Sequence, residues 1–273
     1  MKIHSRILKK IRRGSIPIFT GYLDYLVFIT GQACSLKCQH CANFSPYMPK
    51  EWNFYDSGML IQDLNKCLGG IRKIRLFQIQ GGEPFLYSDL KKLLEYVLEE
   101  DKIEICSIAT NGTIIPSMDT LQLLKNKKFN VRISNYPIKN TKKDDLVRCL
   151  QEHEVKYFIY NFVGRDNSWL DMGKELIREE DTAHVKKRFK SCGFNRRLTL
   201  EDGKLGWCSR CIRAPIIQNF QAAETDYLDI RNMSGNIKHE IRKYILKHHY
   251  MEACRYCLGT KEGTKVPPAI QLK

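Results

Sequence analysis

Three cysteines fall within eight positions of the stretch ACSLKCQHCANFSP, at Cys34, Cys38 and Cys41. Their spacing is C-x3-C-x2-C. Sites that hold one zinc ion with four cysteines usually come as two C-x2-C pairs, so a set of three leaves a position to be filled. Three thiolates at this spacing wrap one corner of a cubane iron–sulfur cluster and leave one iron without a protein ligand. That open iron is then available to a small molecule. On spacing alone, a zinc knuckle or three ordinary thiols compete with this reading. A second set lies far downstream, at Cys192, Cys208 and Cys211, followed by the pair Cys254 and Cys257. Here Cys208-x2-Cys211 with Cys254-x2-Cys257 would also make a zinc geometry, at the expense of leaving Cys192 idle. The chain holds 11 cysteines and begins without a long apolar segment or a small-residue cleavage site. Without a secretory signal, metal and catalytic roles outrank disulfides. Cys67, Cys106 and Cys149 stand alone and are expected to be small buried hydrophobes.

The elements that must position these residues alternate from residue 25 onward. Strands are expected at 26–31, 74–80, 102–110, 129–134 and 155–161. Helices are expected at 56–70, at 88–100 with Ser88 as N-cap, and at 117–126 and 142–153. This repeated βα pattern predicts a parallel sheet with helical crossovers. The five units before residue 162 suit an open, partial barrel. The rhythm then breaks. Residues 164–173 read as loop, and a helix is expected at 237–250. The first cysteines follow the first strand, so they sit at the C-terminal mouth of the sheet, where parallel α/β proteins place their active sites. Three more stretches end at that mouth. In QGGEPFL, Gly81 and Gly82 let backbone approach a ligand and Pro84 stiffens the turn, with Glu83 between them. Thr110 and Asn111 close the third strand, in a stretch that serves equally well as a plain strand-to-helix turn. Arg132 and Ser134 end the fourth and point the same way by strand alternation.

Taken in this order, the motifs resemble the radical SAM superfamily. The resemblance covers roughly residues 25–161. It implies a partial (β/α)6 TIM-like barrel of α/β class, in which Cys34, Cys38 and Cys41 hold a [4Fe–4S] cluster. S-adenosylmethionine (SAM) would bind the open iron. The GGEP residues Gly81, Gly82, Glu83 and Pro84 would meet its amino group, and Thr110, Asn111, Ser134 and Arg132 its ribose and carboxylate. His40 stands where the family usually has an aromatic residue. Downstream, Cys192, Gly203 and Cys208 form C-x10-G-x4-C, similar to the C-x9-15-G-x4-C opening of SPASM and Twitch extensions. In that family Cys192, Cys208, Cys254 and Cys257 would ligate one auxiliary [4Fe–4S] cluster. No cysteine follows Cys257, so the resemblance is to the shorter, cysteine-rich Twitch module. The expected division is a basic extension at 1–24, a barrel at 25–185 and the Twitch-type module at 186–273.

The resemblance implies reductive cleavage of SAM to a 5′-deoxyadenosyl radical, which takes a hydrogen atom from substrate. Oxidation or epimerisation of a small polyol, amino sugar or nucleotide sugar is the expected outcome. Cys211 is the candidate hydrogen donor, and Arg165, Asp166, Trp169 and Asp171 are candidate sugar contacts, Arg165 with a catalytic role. A peptide-modifying maturase is the alternative, and a non-enzymatic zinc or cluster protein a remote one. The net charge of +15, from 45 Lys+Arg against 30 Asp+Glu, favours anionic ligands or an acidic electron donor such as flavodoxin or ferredoxin. No nucleic-acid motif is present. With no stretch long enough to span a membrane, a cytoplasmic enzyme is expected.

Overall fold

The computed structural model describes residues 21–139, 141–163, 168–174, 177–195, 197–247 and 250–273. Arg165, Asp166 and nearly all of the basic extension lie outside these residues. The centre of the fold is an eight-stranded sheet in the order β5-β4-β3-β2-β1-β7-β8-β9. Its first five strands are β1 (Tyr22–Ile29), β2 (Lys73–Gln80), β3 (Ile103–Thr110), β4 (Phe129–Asn135) and β5 (Tyr157–Asn161). All are parallel. The expected βα repeat is therefore present, in an α/β fold with a mostly parallel central sheet.

Register makes the sheet two-faced. Leu26 pairs with Phe77 and Phe28 with Ile79. Continuing across, Cys106 pairs with Phe129 and Ile108 with Val131. All of these are buried. They pack under the crossover helices α1 (Ser57–Gly69), α2 (Leu90–Glu99), α3 (Met118–Leu124) and α4 (Lys143–Glu152). In α2 the buried Leu90, Leu93, Leu94 and Val97 recur at helical spacing, so one stripe faces the sheet. Asp56 caps α1 by accepting from the Met59 amide at 2.8 Å. Ser88 does not cap α2. The cap position belongs to Asp89, whose carboxylate is taken up instead by the Ser57 hydroxyl at 2.7 Å. Cys67 and Cys106 are fully buried as expected, whereas Cys149 is only half-buried.

The opposite face of the same strands is polar. The Tyr25 hydroxyl donates to Gln78 at 2.5 Å. Arg132 donates to the same Gln78 oxygen at 3.1 Å and lies over the Tyr160 ring at 4.7 Å. Such polar groups are retained because each finds a partner on the same face of the sheet.

Beyond residue 162 the sheet continues on its other side. A separate two-stranded sheet pairs β6 (Trp169–Asp171) antiparallel with β10 (Thr264–Val266), so part of the expected loop is extended. Next come α5 (Thr182–Ser191), β7 (Leu198–Glu201) and β8 (Lys204–Gly206). β7 lies parallel to β1, and β8 turns back on β7 through Asp202 and Gly203, both at positive φ. α6 (Ser209–Ile217), β9 (Tyr227–Asp229) and α7 (Ile237–Lys247) complete this half. The sheet thus runs without a break across residue 186. Among the described residues no helix is long and apolar enough to cross a membrane.

A buried ion pair fastens the two halves. Arg213 Nε donates to both Glu201 oxygens, at 3.0 and 2.8 Å, and neither residue is exposed. The Gln32 amide and the Tyr55 hydroxyl also donate to Glu201, at 2.7 and 3.1 Å, while Arg213 reaches the Asn43 carbonyl at 2.8 Å. Removing one partner strands the other charge in the core. Glu201→Leu is therefore expected to cost about 3–5 kcal/mol, and Glu201→Leu with Arg213→Met clearly less than the two single losses added together. Urea unfolding of the three variants checks this, and additive losses would contradict it.

Candidate active site

The first cysteine loop leaves β1 at Gly31, and the glycine turn leaves β2 beside it. The two are fused backbone to backbone. Gly82 N–H donates to the Gly31 carbonyl at 3.0 Å and Glu83 N–H to the Ala33 carbonyl at 2.8 Å. A Cβ on Gly81 would collide with the Gly31 oxygen, and one on Gly82 with the Ala33 oxygen. These glycines are thus needed for the close approach of the cysteine loop itself, whatever ligand they also meet. Gly31 has φ +143 and abuts the Asn53 backbone, a conformation only glycine adopts readily.

Glu83 is buried, and its carboxylate accepts three hydrogen bonds. They come from Thr110 Oγ1 at 2.8 Å, the Asn111 amide at 2.7 Å and the Phe85 amide at 3.1 Å. Pro84 opens the short turn that places Phe85. Asn111 Nδ2 then reaches Ser35 Oγ at 3.1 Å and Cys34 Sγ at 3.5 Å. The sequence-predicted residues Cys34, Glu83, Thr110 and Asn111 thus form one connected group. Ser134 stands apart beside Tyr136, which packs edge-on against Trp169. Arg132 is turned to Gln78 and Tyr160 on the polar sheet face.

The donor set around the first three cysteines fits sulfur ligands of an iron cluster. Cys34 accepts from the Leu36 amide at 3.4 Å as well as from Asn111, and Cys38 from Gln271 Nε2 at 3.3 Å. Burial pushes the Cys34 thiol up to about 12 and the Cys38 thiol to about 11. A metal must therefore displace their protons on binding. Among the described residues no three His, Cys, Asp or Glu side chains could hold a single metal ion.

Cys192, Cys208, Cys211, Cys254 and Cys257 line one cavity. Cys192 ends α5, Cys208 follows the β7–β8 hairpin at the start of α6, and a short helical turn at Glu252–Tyr256 carries Cys254. Cys211 donates to the Cys208 carbonyl at 2.8 Å. Trp207 also lines this cavity, and its indole Nε1 is buried without a hydrogen-bond partner.

A larger cavity of about 350 Å³ lies between Cys41 and β6. Cys211 is not among its lining residues. His40 and Asp171 meet across it, Nδ1 to Oδ2 at 3.2 Å. The His–Asp pair was missed in the sequence as a pair, although His40 is marked as the departure from the aromatic pattern. Lys174 and Arg210 complete its charged wall.

Burial raises the Glu83 carboxyl from 4.5 to about 7 against its three hydrogen bonds. Its folded value lies above its unfolded one, so the folded protein keeps this proton longer. Stability from this group is full below pH 4.5 and is lost as pH rises through about 7. In the metal-free protein the fall is expected to reach about 3 kcal/mol, and Glu83→Gln should flatten it. Urea midpoints between pH 4 and 8 read the difference. Gly82→Ala is expected to disrupt folding outright, and a circular dichroism melt unchanged from the parent would contradict the backbone contact.

Residues 28–144 match the family model described as the Radical SAM superfamily. Over 271 residues the chain is 24% identical to GTP 3′,8-cyclase of Aliarcobacter butzleri, covering 91% of this chain and 81% of that protein. It is 32% identical over 124 residues to GTP 3′,8-cyclase of Sulfurimonas denitrificans, covering 43% of this chain and 37% of that one. The fold is similar to BtrN in complex with AdoMet and 2-DOIA, with a TM-score of 0.54, 14% identity and coverage of 92% and 99%. It is also similar to native anSMEcpe with bound AdoMet and Kp18Cys peptide, with a TM-score of 0.51, 18% identity and coverage of 92% and 93%. With the cysteine loop, glycine turn and parallel strands in matching order, residues 28–144 form a radical SAM superfamily domain.

Proposed function

We propose that the protein is a radical SAM enzyme that oxidises a small polyol, amino sugar or nucleotide sugar. The observation that carries this reading is the cavity of about 350 Å³ beside Cys41, walled by His40, Asp171, Tyr47, Lys174 and Arg210. Its size and mixed polar lining suit a hydroxylated small molecule. Cys34, Cys38 and Cys41 would hold the first [4Fe–4S] cluster, which when bound supplies the electron for SAM cleavage. Glu83, fixed by Thr110 and Asn111, would take the SAM amino group on its remaining acceptor capacity. Asp171 holds His40 in one orientation and gives the cavity a proton acceptor next to the reacting substrate.

Cys192, Cys208, Cys254 and Cys257 would hold an auxiliary cluster in a Twitch-type arrangement. The unpartnered Trp207 Nε1 supports this, since a sulfur-rich group in that cavity gives it an acceptor. Cys211 lines this cysteine cavity and not the larger one, which favours oxidation over epimerisation by thiol quenching. The net charge of +15 suits an acidic flavodoxin or ferredoxin as electron donor, in keeping with a cytoplasmic enzyme. A nucleotide substrate is the second reading, favoured by the relatives named GTP 3′,8-cyclase.

Anaerobically reconstituted protein is expected to carry about eight irons per chain and to release 5′-deoxyadenosine from SAM under reduction. Changing Cys34, Cys38 and Cys41 to Ala together should leave about four irons and abolish cleavage. Iron content that ignores the triple change would sink the assignment of the first cluster.

A further inference from the structure

Residues 269–272 lie across the first cysteine loop. Cys38 and Gln271 form an isolated antiparallel bridge. The Gln39 amide donates to the Ile270 carbonyl at 2.7 Å, and the Leu272 amide to the Lys37 carbonyl at 2.7 Å. The Gln271 side chain adds three more hydrogen bonds. Its Oε1 accepts from the Lys37 amide at 2.8 Å. Its Nε2 donates to the Ala269 carbonyl at 2.7 Å and to Cys38 Sγ at 3.3 Å. Both amide hydrogens are thereby used, and one of them is aimed at sulfur.

This donor differs from the others at the site. Cys34 receives its hydrogen bonds from Leu36, two residues away, and from Asn111 at the end of β3. Cys38 receives its bond from a residue 233 positions along the chain. Cys38 is also the buried member of the three, with 6% of its surface exposed. An N–H aimed at a ligating sulfur stabilises the state that carries more negative charge. Hydrogen bonds to sulfur are accordingly among the factors that set the reduction potential of iron–sulfur clusters.

We propose that Gln271 is a positioning residue for the iron–sulfur site: its Nε2–H donates to Cys38 Sγ and raises the reduction potential of the cluster held by Cys34, Cys38 and Cys41, while the main-chain strap of residues 269–272 fixes the loop. The proposal rests on the reading of those three cysteines as cluster ligands. The side-chain donor and the strap separate by mutation. Gln271→Met removes the donor and keeps length and neutrality. Leu272→Pro removes the amide that bonds Lys37 and leaves Gln271 in place.

The test uses the full chain, reconstituted anaerobically. Iron content and visible absorbance are measured first. A redox titration then follows the electron paramagnetic resonance signal that addition of SAM perturbs, which isolates the first cluster. Gln271→Met is expected to retain its iron and to shift that midpoint to a more negative potential. Leu272→Pro is expected to lose visible absorbance faster on exposure to air. If Gln271→Met fails to hold iron, Gln271→Glu, which keeps the acceptor for Lys37, takes its place in the titration with the same expectation. A midpoint equal to that of the parent in the loaded variant overturns the role of the donor, whatever the iron content. A parent chain that binds no iron at Cys34, Cys38 and Cys41 overturns the reading of the cysteines and this proposal with it.

Discussion

The arrangement of the site depends on a contact between two backbones with no side chain between them. Gly31, Gly81 and Gly82 let the exits of β1 and β2 close to hydrogen-bonding distance. That closure brings Glu83 beside the cysteine loop. Glu83 in turn gathers the end of β3 through Thr110 and Asn111, and Asn111 returns to Cys34. Three strand ends are thus tied in a ring that contains one buried carboxylate. The carboxylate is tolerated because three donors surround it, and the burial that raises its proton affinity also makes it a strong acceptor for an ammonium group.

The second half of the chain is joined to this ring by charge. Glu201 sits at the end of β7, next to β1, and receives Arg213 from α6, Gln32 from the cysteine loop and Tyr55 from the segment before α1. A fully buried ion pair contributes little net stability on its own. Its effect here is geometric. The hairpin that leads to Cys208 and the loop that carries Cys34 are held by the same two side chains, so the two cysteine groups share a reference point in the core. Asn43 extends the link, bonding Arg213 through its carbonyl, Gly81 through its amide nitrogen and Ser209 through its side-chain oxygen.

Much of this was legible in the sequence where signals are local. The βα alternation, the cysteine spacing and the glycine turn each depend on neighbours a few residues apart, and each lies where the pattern indicates. The sequence offers the glycines to a ligand, and the structure adds a contact with the chain's own backbone that local pattern does not show. Ser88 was chosen as a cap by residue type, while Asp89 holds that position and spends its carboxylate on Ser57. What was not legible is what depends on distant pairing. β6 has only three residues and exists through β10. The meeting of His40 with Asp171 and the reach of Gln271 to Cys38 join positions 131 and 233 apart. No periodicity within one segment encodes such contacts.

The parallel pairing of β7 with β1 also governs the order in which the molecule can be completed. β1 lies inside the sheet and is made before its outer partner, residues 198–201. Until those residues emerge, Leu26 to Ile29 present an unpaired apolar strand edge, the kind of surface that templates wrong associations. The contact closes a very long loop, so it belongs to the slow, non-local part of folding. The interval between making the first strand and covering it is therefore when the nascent chain is most exposed to aggregation.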